Sequence, residues 1–591
     1  MNRVIDFYCR RLLSTSFSKY GLFFIGLSLL STSGTYAATT STAPPRLFFT
    51  DLDSGPNSGG ESVSGFSGAY VTLYGNFFGT NPTVTLNSAN CLRTVGVPVA
   101  HLWYQKLVVQ LGPTCTSGSF IVSNSQGTSN GVSFTVRAGN IFCISPSGSN
   151  SNNGHFPSSC WAAPAFAKNA MAPGDITYVH AGTYTGVDGD GAFMDLHVNG
   201  GTAGKPLSMI GYPNENSVFD TSCCQYGILA WGSAGPSPYW TIANIEWKNA
   251  GYREIYWEMG GSPQPQIGTV RFIGNVVHDA AAELIVYEGS GTSIVTDGND
   301  LYNMAAAGGT EKGYAVYWGA YGTQNGVEFS WNKIHNELSG NRDAKGLQFY
   351  GHVAGDQILG VKITNNIIFG TCMEGAVMGG SDGGNSIWSN SDTEYIYNNV
   401  FAHDGPCSPN YGYSAIKFVG GTGNFKVYNN TFYANGASPL PSPSGDVDDQ
   451  GVNSIDWKNN LHVGPTPNGT FCGYICYEGG SSSEFASTSD YNDCWNFGSH
   501  GCPTEVNKGS HSLNVDPLFI SPTLSASTAN FSLQVGSPLI GAGTSAVSST
   551  VAVDITGQPR PSSPSIGAYE LAGSVAVVRP NPPTNLQVTV Q

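Results

Sequence analysis

Basic, acidic and aromatic side chains are concentrated in one short segment of this chain, between residues 340 and 352. The segment reads Gly-Asn-Arg-Asp-Ala-Lys-Gly-Leu-Gln-Phe-Tyr-Gly-His and contains Arg342, Asp343, Lys345 and His352. Because the 591 residues include only 24 Lys and Arg, two of them beside a His are a notable concentration. The segment is interpreted either as a reactive site or as a solvated turn with an Arg342–Asp343 ion pair.

These residue types suit the removal of a proton from a carbon next to a carboxylate. That reaction needs a base and a cation that neutralises the carboxylate. Lys345 or His352 is predicted to be the base, Arg342 the partner of the carboxylate, and Tyr350 the proton donor to the leaving oxygen. The pattern therefore predicts a β-elimination on a uronate-containing glycan.

A regularly recurring element must position these side chains. Asn recurs after a short apolar strand, at intervals of 31, 24, 33, 34, 33, 31 and 30 residues. A period of this length without helical patterning predicts a solenoid, in which each period is one coil of short parallel strands. The Asn side chains are predicted to form a hydrogen-bonded ladder along the stack. The predicted ladder is Asn244, Asn275, Asn299, Asn332, Asn366, Asn399, Asn430 and Asn460.

In several coils, one strand ends on glycine. Aligning these strands on that glycine predicts which of their side chains face the core and which face outward. Side chains alternate along a strand, so positions two and four before the glycine are predicted to face the core. Positions one, three and five are predicted to face outward. The aligned glycines are Gly289, Gly319, Gly351, Gly379 and Gly420, and the large outward side chains are then Glu288, Tyr314, Trp318, Gln348, Tyr350, Glu374, Met378 and Lys417.

Aromatic rings on an outward wall favour stacking on sugar rings, because exposed aromatic surface is unfavourable unless something covers it. Packing beneath a loop is the alternative interpretation. The predicted substrate-binding side chains are Tyr314, Trp318, Gln348, Tyr350, Glu288 and Lys417.

A glycoside hydrolase would instead need two carboxylates roughly 5 to 10 Å apart. Glu288 and Glu374 are predicted to lie three coils apart, which is too far. Asp343 and Glu374 would lie one coil apart, so hydrolysis stays open as an alternative.

Composition indicates a mainly β protein and excludes several classes. Charged residues make up 11% and aromatic residues 12% of the chain, with 77 Gly and 33 Pro. The aromatic content argues against disorder, and the formal charge of −16 argues against nucleic-acid binding.

The chain starts with a basic segment, a short apolar run and small residues near Ala37, which predict a signal peptide over residues 1–38 and secretion. The apolar run is too short to span a bilayer. Twelve Cys then remain, an even number that suits disulfides in an oxidising compartment. The expected near-sequence pairs are Cys91–Cys115, Cys143–Cys160, Cys372–Cys407 and Cys494–Cys502.

Residues 39–44 are predicted to be a linker, and residues 45–138 alternate apolar and polar positions as in a small antiparallel sandwich. Within them, residues 68–86 (Gly-Ala-Tyr-Val-Thr-Leu-Tyr-Gly-Asn-Phe-Phe-Gly onward) and 129–136 resemble the IPT/TIG immunoglobulin-like domain. The resemblance implies a spacer or a carbohydrate-proximal module.

Residues 140–571 resemble the right-handed parallel β-helix of pectate-lyase-like secreted proteins. Residues 173–186 and 204–213 are similar to the first two coils of that family, and Asp516-Pro-Leu-Phe and Ile566-Gly-Ala-Tyr-Glu look like its closing coils. The superfamily contains lyases, hydrolases, epimerases and non-enzymatic adhesins, so the resemblance implies the fold and leaves function open. Residues 572–591 resemble the start of a fibronectin-type domain and are interpreted as a tail.

The sequence thus predicts an all-β secreted protein whose partner is an extracellular polysaccharide. Lyase action on an acidic glycan is the leading hypothesis, with hydrolysis or non-catalytic glycan binding as alternatives. A monomer is expected. Calcium is a candidate cofactor, because Asp188-Gly-Asp190-Gly and Asp446-Val-Asp448-Asp449 offer oxygen ligands, although solvated loops are the alternative.

Overall fold

The computed structural model describes residues 43–196, 200–230, 238–258, 267–305, 313–335, 344–380, 386–406, 413–436, 445–464, 475–476, 485–496 and 509–571. The predicted signal peptide, most of the linker, the tail, and both Arg342 and Asp343 lie outside these residues. The described part is almost entirely β, with one α-helix, Pro164–Ala170, and one 3₁₀-helix, Ser545–Val547.

An antiparallel two-sheet sandwich comes first, as its alternating sequence predicts. Its inward side chains, among them Leu73, Val109 and Phe120, are fully buried. The first sheet, in spatial order, is Arg46–Thr50, Tyr70–Asn76, Tyr104–Leu111 and Leu92–His101. The second is Ser54–Gly55, Val132–Val136, Gly118–Asn124 and Thr83–Leu86, with Gly127–Thr128 beside Gly118–Asn124.

From Ile141 the chain forms a right-handed parallel β-helix whose coils have three walls, in which each strand pairs in parallel with the same strand of the next coil. The first wall is Ala192–Asp195, Tyr226–Ala230, Arg253–Glu258, Ala344–Gly351, Ala376–Met378, Ile416–Val419, Val447–Gln450 and Ile475–Cys476, together with the starts of two long strands, Ile285–Asp297 and Gly313–Ser330. These long strands continue into the second wall.

The other two walls complete each coil. The rest of the second wall is Ile141–Ile144, Ile176–Val179, Leu207–Gly211, Trp240–Ala243, Val270–Ile273, Gln357–Leu359, Lys362–Thr364, Glu394–Tyr397, Asn424–Tyr428 and Ser454–Lys458. The third wall is Gly182–Tyr184, Ser217–Asp220, Glu246–Lys248, Val276–His278, Asp300–Tyr302, Lys333–His335, Ile367–Phe369, Val400–Ala402, Thr431–Tyr433, Leu461–Val463 and Asp493–Trp495.

The predicted Asn ladder runs inside the turn between the second and third walls. Each Asn side chain accepts from the backbone N–H of the ladder residue one coil earlier, at 2.8 to 3.1 Å, and donates to a second-wall carbonyl. Asn366, for example, accepts from the Asn332 backbone at 2.9 Å and donates to the Phe329 carbonyl at 2.8 Å. The ladder continues past the prediction to Asn492.

Asn244 is not a member of this ladder, so the prediction is wrong there by one residue. Ile245 occupies its ladder position and donates its N–H to Asn275. Asn244 has a φ of 58° and turns its side chain outward, where its Nδ2 donates to Asp51 of the sandwich at 2.9 Å.

The sandwich packs against the side of the β-helix, which differs from a separate spacer. The sandwich core continues into outward side chains of the second wall and its turn, including Tyr178, Ile273 and Trp331. Phe48 stacks on Trp331 with ring centroids 3.6 Å apart. The sandwich therefore buries an apolar side of the solenoid.

Leu513 pairs in parallel with Asp493 and so extends the third wall, but residues 514–571 do not continue the coils as the resemblance implied. Phe519–Ser521 and Asn530–Leu533 form an antiparallel hairpin that packs on outward side chains of the third wall, such as Val400 and Leu461. The irregular segment that follows meets the outward-turned Asn side chains: Asn398 donates to the Val553 carbonyl and Asn459 to the Thr544 carbonyl.

Two predicted disulfides, Cys91–Cys115 and Cys143–Cys160, are confirmed. Cys372 and Cys494 are also in disulfides, but their predicted partners lie outside the described residues. A disulfide between the adjacent Cys223 and Cys224 was not predicted. Within the described ranges, no helix has the length and apolar character needed to cross a membrane.

We expect Asn366→Ala to lower the free energy of unfolding by about 3 kcal/mol. The substitution leaves the buried Asn332 N–H and Phe329 carbonyl without these hydrogen bonds. Asn153→Ala is the matched control, since Asn153 is exposed and should change stability by about 0.5 kcal/mol or less. Chemical denaturation of both variants measures this, and equal losses would contradict a special role for the ladder.

Candidate functional site

The register of the first wall differs from the glycine alignment at two coils. Ala320, not Gly319, lies in register with Gly289 and Gly351. Gly380 likewise replaces Gly379, because Gln348 pairs with Val377. The faces of Tyr317, Trp318 and Met378 were therefore assigned wrongly.

Trp318 and Met378 consequently point into the core, contrary to the prediction that they face outward. Both are 0% exposed, and Trp318 stacks on Phe349 at 4.6 Å with nearly parallel rings. Tyr317 was predicted to face inward but lies on the outer face, half-buried beside His352. Trp318 thus cannot bind a sugar from this wall.

One outward row of the first wall carries charged and phenolic side chains on five successive coils. We call this row the Lys345 row. Backbone hydrogen bonds and strand register connect its neighbours. Its members, in coil order, are Arg253, Glu283, Tyr314, Lys345 and Glu374.

Both cations of the Lys345 row face a carboxylate on the next coil. Arg253 Nε lies 2.8 Å from Glu283 Oε2, and Lys345 Nζ lies 3.4 Å from Glu374 Oε2. Tyr314 is in direct register with Lys345 on the preceding coil. Glu374 is 4% exposed, and its Oε2 has no hydrogen-bond partner among the described residues beyond this ion pair. The row therefore places an amine, a phenol and a carboxylate side by side.

A second group occupies the opposite edge of the same wall, and we call it the His352 cluster. His352 Nε2 lies 3.2 Å from the Tyr317 hydroxyl and 3.5 Å from Glu288 Oε1, and its ring stacks on Tyr321 at 4.3 Å. The full cluster is Tyr256, Glu258, Glu288, Tyr317, Tyr321, Tyr350 and His352.

Burial shapes the protonation of this cluster. Burial, followed by the charge of Glu288, raises the pKa of Tyr317 well above its ordinary value, so its phenol stays neutral. Burial also raises the pKa of Glu258, and the nearby charge of Glu288 adds to that effect.

The remaining predicted binding residues lie on the outer face, as expected, but are already engaged. Lys417 Nζ lies 3.1 Å from Asp448 Oδ2 on the next coil. The Gln348 amide donates to the carbonyls of Phe349 and Gly379, at 2.8 and 3.1 Å. Gln348 therefore stabilises the wall itself.

Arg253, Tyr256 and Glu258 were not among the predicted site residues. They lie on Arg253–Glu258, a strand that does not end on glycine and was therefore left out of the alignment. Its register with the strand of Glu288 could have been found from its own alternation, because Ile255 and Trp257 are core residues.

The first Asp of each Asp-rich segment is engaged by protein groups, and the second segment includes the first-wall strand Val447–Gln450. Asp188 forms an ion pair with Lys168 at 2.9 Å and accepts from the Asp195 N–H. Asp446 is held by His462 at 2.8 Å and by Asn435 at 2.9 Å. These contacts do not favour a calcium site in either loop, and the calcium expectation stays a prediction.

No family model matches the chain, and the comparison with curated proteins finds no match. Among solved structures, pectate lyase Pel9A is similar at 17% identity and a TM-score of 0.48, covering 73% of this chain and 96% of that one. An alginate lyase from Paenibacillus sp. str. FPU-7 has 13% identity, a TM-score of 0.29, and coverages of 49% and 96%. A Family 28 exopolygalacturonase of Yersinia enterocolitica has 12% identity, a TM-score of 0.25, and coverages of 77% and 92%.

The strand pairing of this chain defines it as a parallel β-helix protein with an attached sandwich and two polar groups on its first wall.

We expect Trp318→Ala to lower the free energy of unfolding by about 3 to 5 kcal/mol, because it leaves a cavity against Phe349. Tyr350→Ala, one coil away on the outer face, should cost about 1 kcal/mol or less. Thermal or chemical denaturation measures both, and a larger loss for Tyr350→Ala would contradict the assignment of faces.

Proposed function

We propose that the protein cleaves an acidic, uronate-containing extracellular polysaccharide by β-elimination at the Lys345 row. The observation that carries the proposal is the direct register of Lys345 and Tyr314 on adjacent coils of an outward wall. β-Elimination needs a base and an acid on neighbouring atoms of one sugar ring, and an amine beside a phenol supplies both.

Three residues of the row have a role in this reaction. Lys345, as the free amine, removes the proton from the carbon next to the carboxylate. Tyr314 donates its proton to the glycosidic oxygen as the carbon–oxygen bond breaks, and a carbon–carbon double bond forms. Glu374, 3.4 Å from Lys345 Nζ, stabilises the ammonium that results.

Lys345 is preferred over His352 as the base because of what surrounds each group. His352 lies seven residues further along the chain, roughly 20 Å away along an extended strand, and belongs to a cluster with two carboxylates. Those carboxylates would repel a uronate. Arg342 is retained as the proposed carboxylate partner on the ground of sequence alone.

Extracellular action agrees with the disulfides of the sandwich and of the first coils, because disulfides persist in oxidising compartments. Secretion and a monomeric state are part of the proposal.

We expect Lys345→Ala to reduce turnover at least about 100-fold while glycan affinity changes only a few-fold, because the base acts mainly in the transition state. Absorbance of unsaturated uronate products over pectate, alginate and glycosaminoglycans measures the reaction, with and without calcium.

Lys458→Ala is the matched control, since Lys458 also pairs with a carboxylate, Asp456, but lies on the second wall. It should retain parental activity. Residual activity of Lys345→Ala above a tenth of the parent would end the assignment of the base. Glycan binding without any product would favour the non-catalytic hypothesis.

A further inference from the structure

Two carboxylates of the His352 cluster form a pair that the proposed elimination does not use. Glu258 and Glu288 are in direct register on adjacent coils of the first wall. The hydroxyl of Tyr256 lies between them: it donates to Glu258 Oε2 and is also within 3.1 Å of Glu288 Oε2. The two carboxylates are therefore held by one phenol.

This arrangement limits the distance between the two carboxylates. Both oxygens lie within hydrogen-bond reach of the same atom, so they are at most roughly 6 Å apart. Retaining glycosidases hold their two carboxyl groups about 5 to 5.5 Å apart, and inverting enzymes hold theirs further apart to admit a water. This upper limit is compatible with the retaining spacing and lies below the wider spacing of inverting enzymes.

The surroundings give the two carboxylates different environments. The guanidinium of Arg253, which Glu283 holds at 2.8 Å, lies over the Tyr256 ring at 4.3 Å from its centroid and restrains this ring. Glu288 faces His352 at 3.5 Å, whereas Glu258 is half-buried at the strand end and accepts from the Tyr256 hydroxyl. Burial and the neighbouring charge favour the protonated form of Glu258 by raising its pKa.

We propose that Glu258 and Glu288 form a second catalytic centre, which hydrolyses a glycosidic bond of a neutral sugar with retention of configuration. The protonated carboxyl of Glu258 gives its proton to the glycosidic oxygen, and the leaving sugar departs as an alcohol. Glu288 attacks the anomeric carbon and forms an ester. Water, deprotonated by Glu258, then attacks that carbon and releases the sugar and the Glu288 carboxylate.

Charge and aromatic surface favour a neutral sugar here. The negative charge of Glu288 repels a uronate, whereas the half-buried rings of Tyr317 and Tyr350 offer surface to a pyranose. Tyr256 and His352 are positioning residues, since they act through the two carboxylates.

The test measures the activity of the full-length Lys345→Ala variant on xylan, galactan and β-glucan. Elimination is expected to be lost in this variant. We expect new reducing ends without unsaturated products, and the first product should keep its anomeric configuration by NMR. Glu258→Gln and Glu288→Gln, added separately, should each lower this rate at least about 100-fold. Azide should restore turnover to a Glu288→Ala variant as a glycosyl azide.

Glu246→Gln is the matched control, because Glu246 is a paired carboxylate on the third wall. It should leave hydrolysis unchanged, and circular dichroism should show all variants folded. Absence of reducing ends from every neutral glycan, an inverted product, or more than a tenth of the rate in Glu258→Gln would overturn the proposal. The elimination proposal is judged separately, by unsaturated products from Lys345-containing protein on uronate polymers.

Discussion

Every row of side chains on this protein depends on coils that stack in a fixed register, and the buried Asn ladder is the interaction that holds that register. Each ladder Asn binds the backbone of the ladder residue one coil earlier and a carbonyl of the second wall. A slip by one residue would leave several buried polar groups without partners and would turn outward side chains into the core. Rows such as Tyr314 beside Lys345 exist because that slip is costly.

The same register explains how an outward wall can hold many charges. Arg253, Lys345 and Lys417 each pair with a carboxylate one coil further on, so the strand spacing brings opposite charges together. Such pairs contribute modestly to stability where they are partly exposed. Glu258 and Glu288 break the pattern, because a carboxylate faces a carboxylate and a phenol is shared between them. Departures from a regular charge pattern are expected where chemistry, rather than stability, selects the residues.

The period, the ladder and the all-β class could be predicted from the sequence because they rest on repetition that a short window reveals. The faces of the first wall could be predicted only in part. Alignment on glycine assumes equal strand lengths, but strand Gly313–Ser330 ends its first-wall portion at Ala320, and a register shift lies between Gly289 and Gly291. Trp318 and Tyr317 exchanged faces for that reason alone.

The sandwich and the C-terminal hairpin explain why the Lys345 row and the His352 cluster lie on the first wall. The sandwich core extends onto the second wall, and the C-terminal hairpin packs on the third wall. Outward positions there are accordingly apolar or bonded to the covering segment, as with Trp331 and Asn459. Because these side chains contact the covering segments, they stabilise the fold. On the first wall the outward positions instead carry amines, phenols and carboxylates, at the two edges where the strands meet the turns. The Lys345 row and the His352 cluster therefore share the first wall without sharing a residue, because six strand positions separate Lys345 from Gly351.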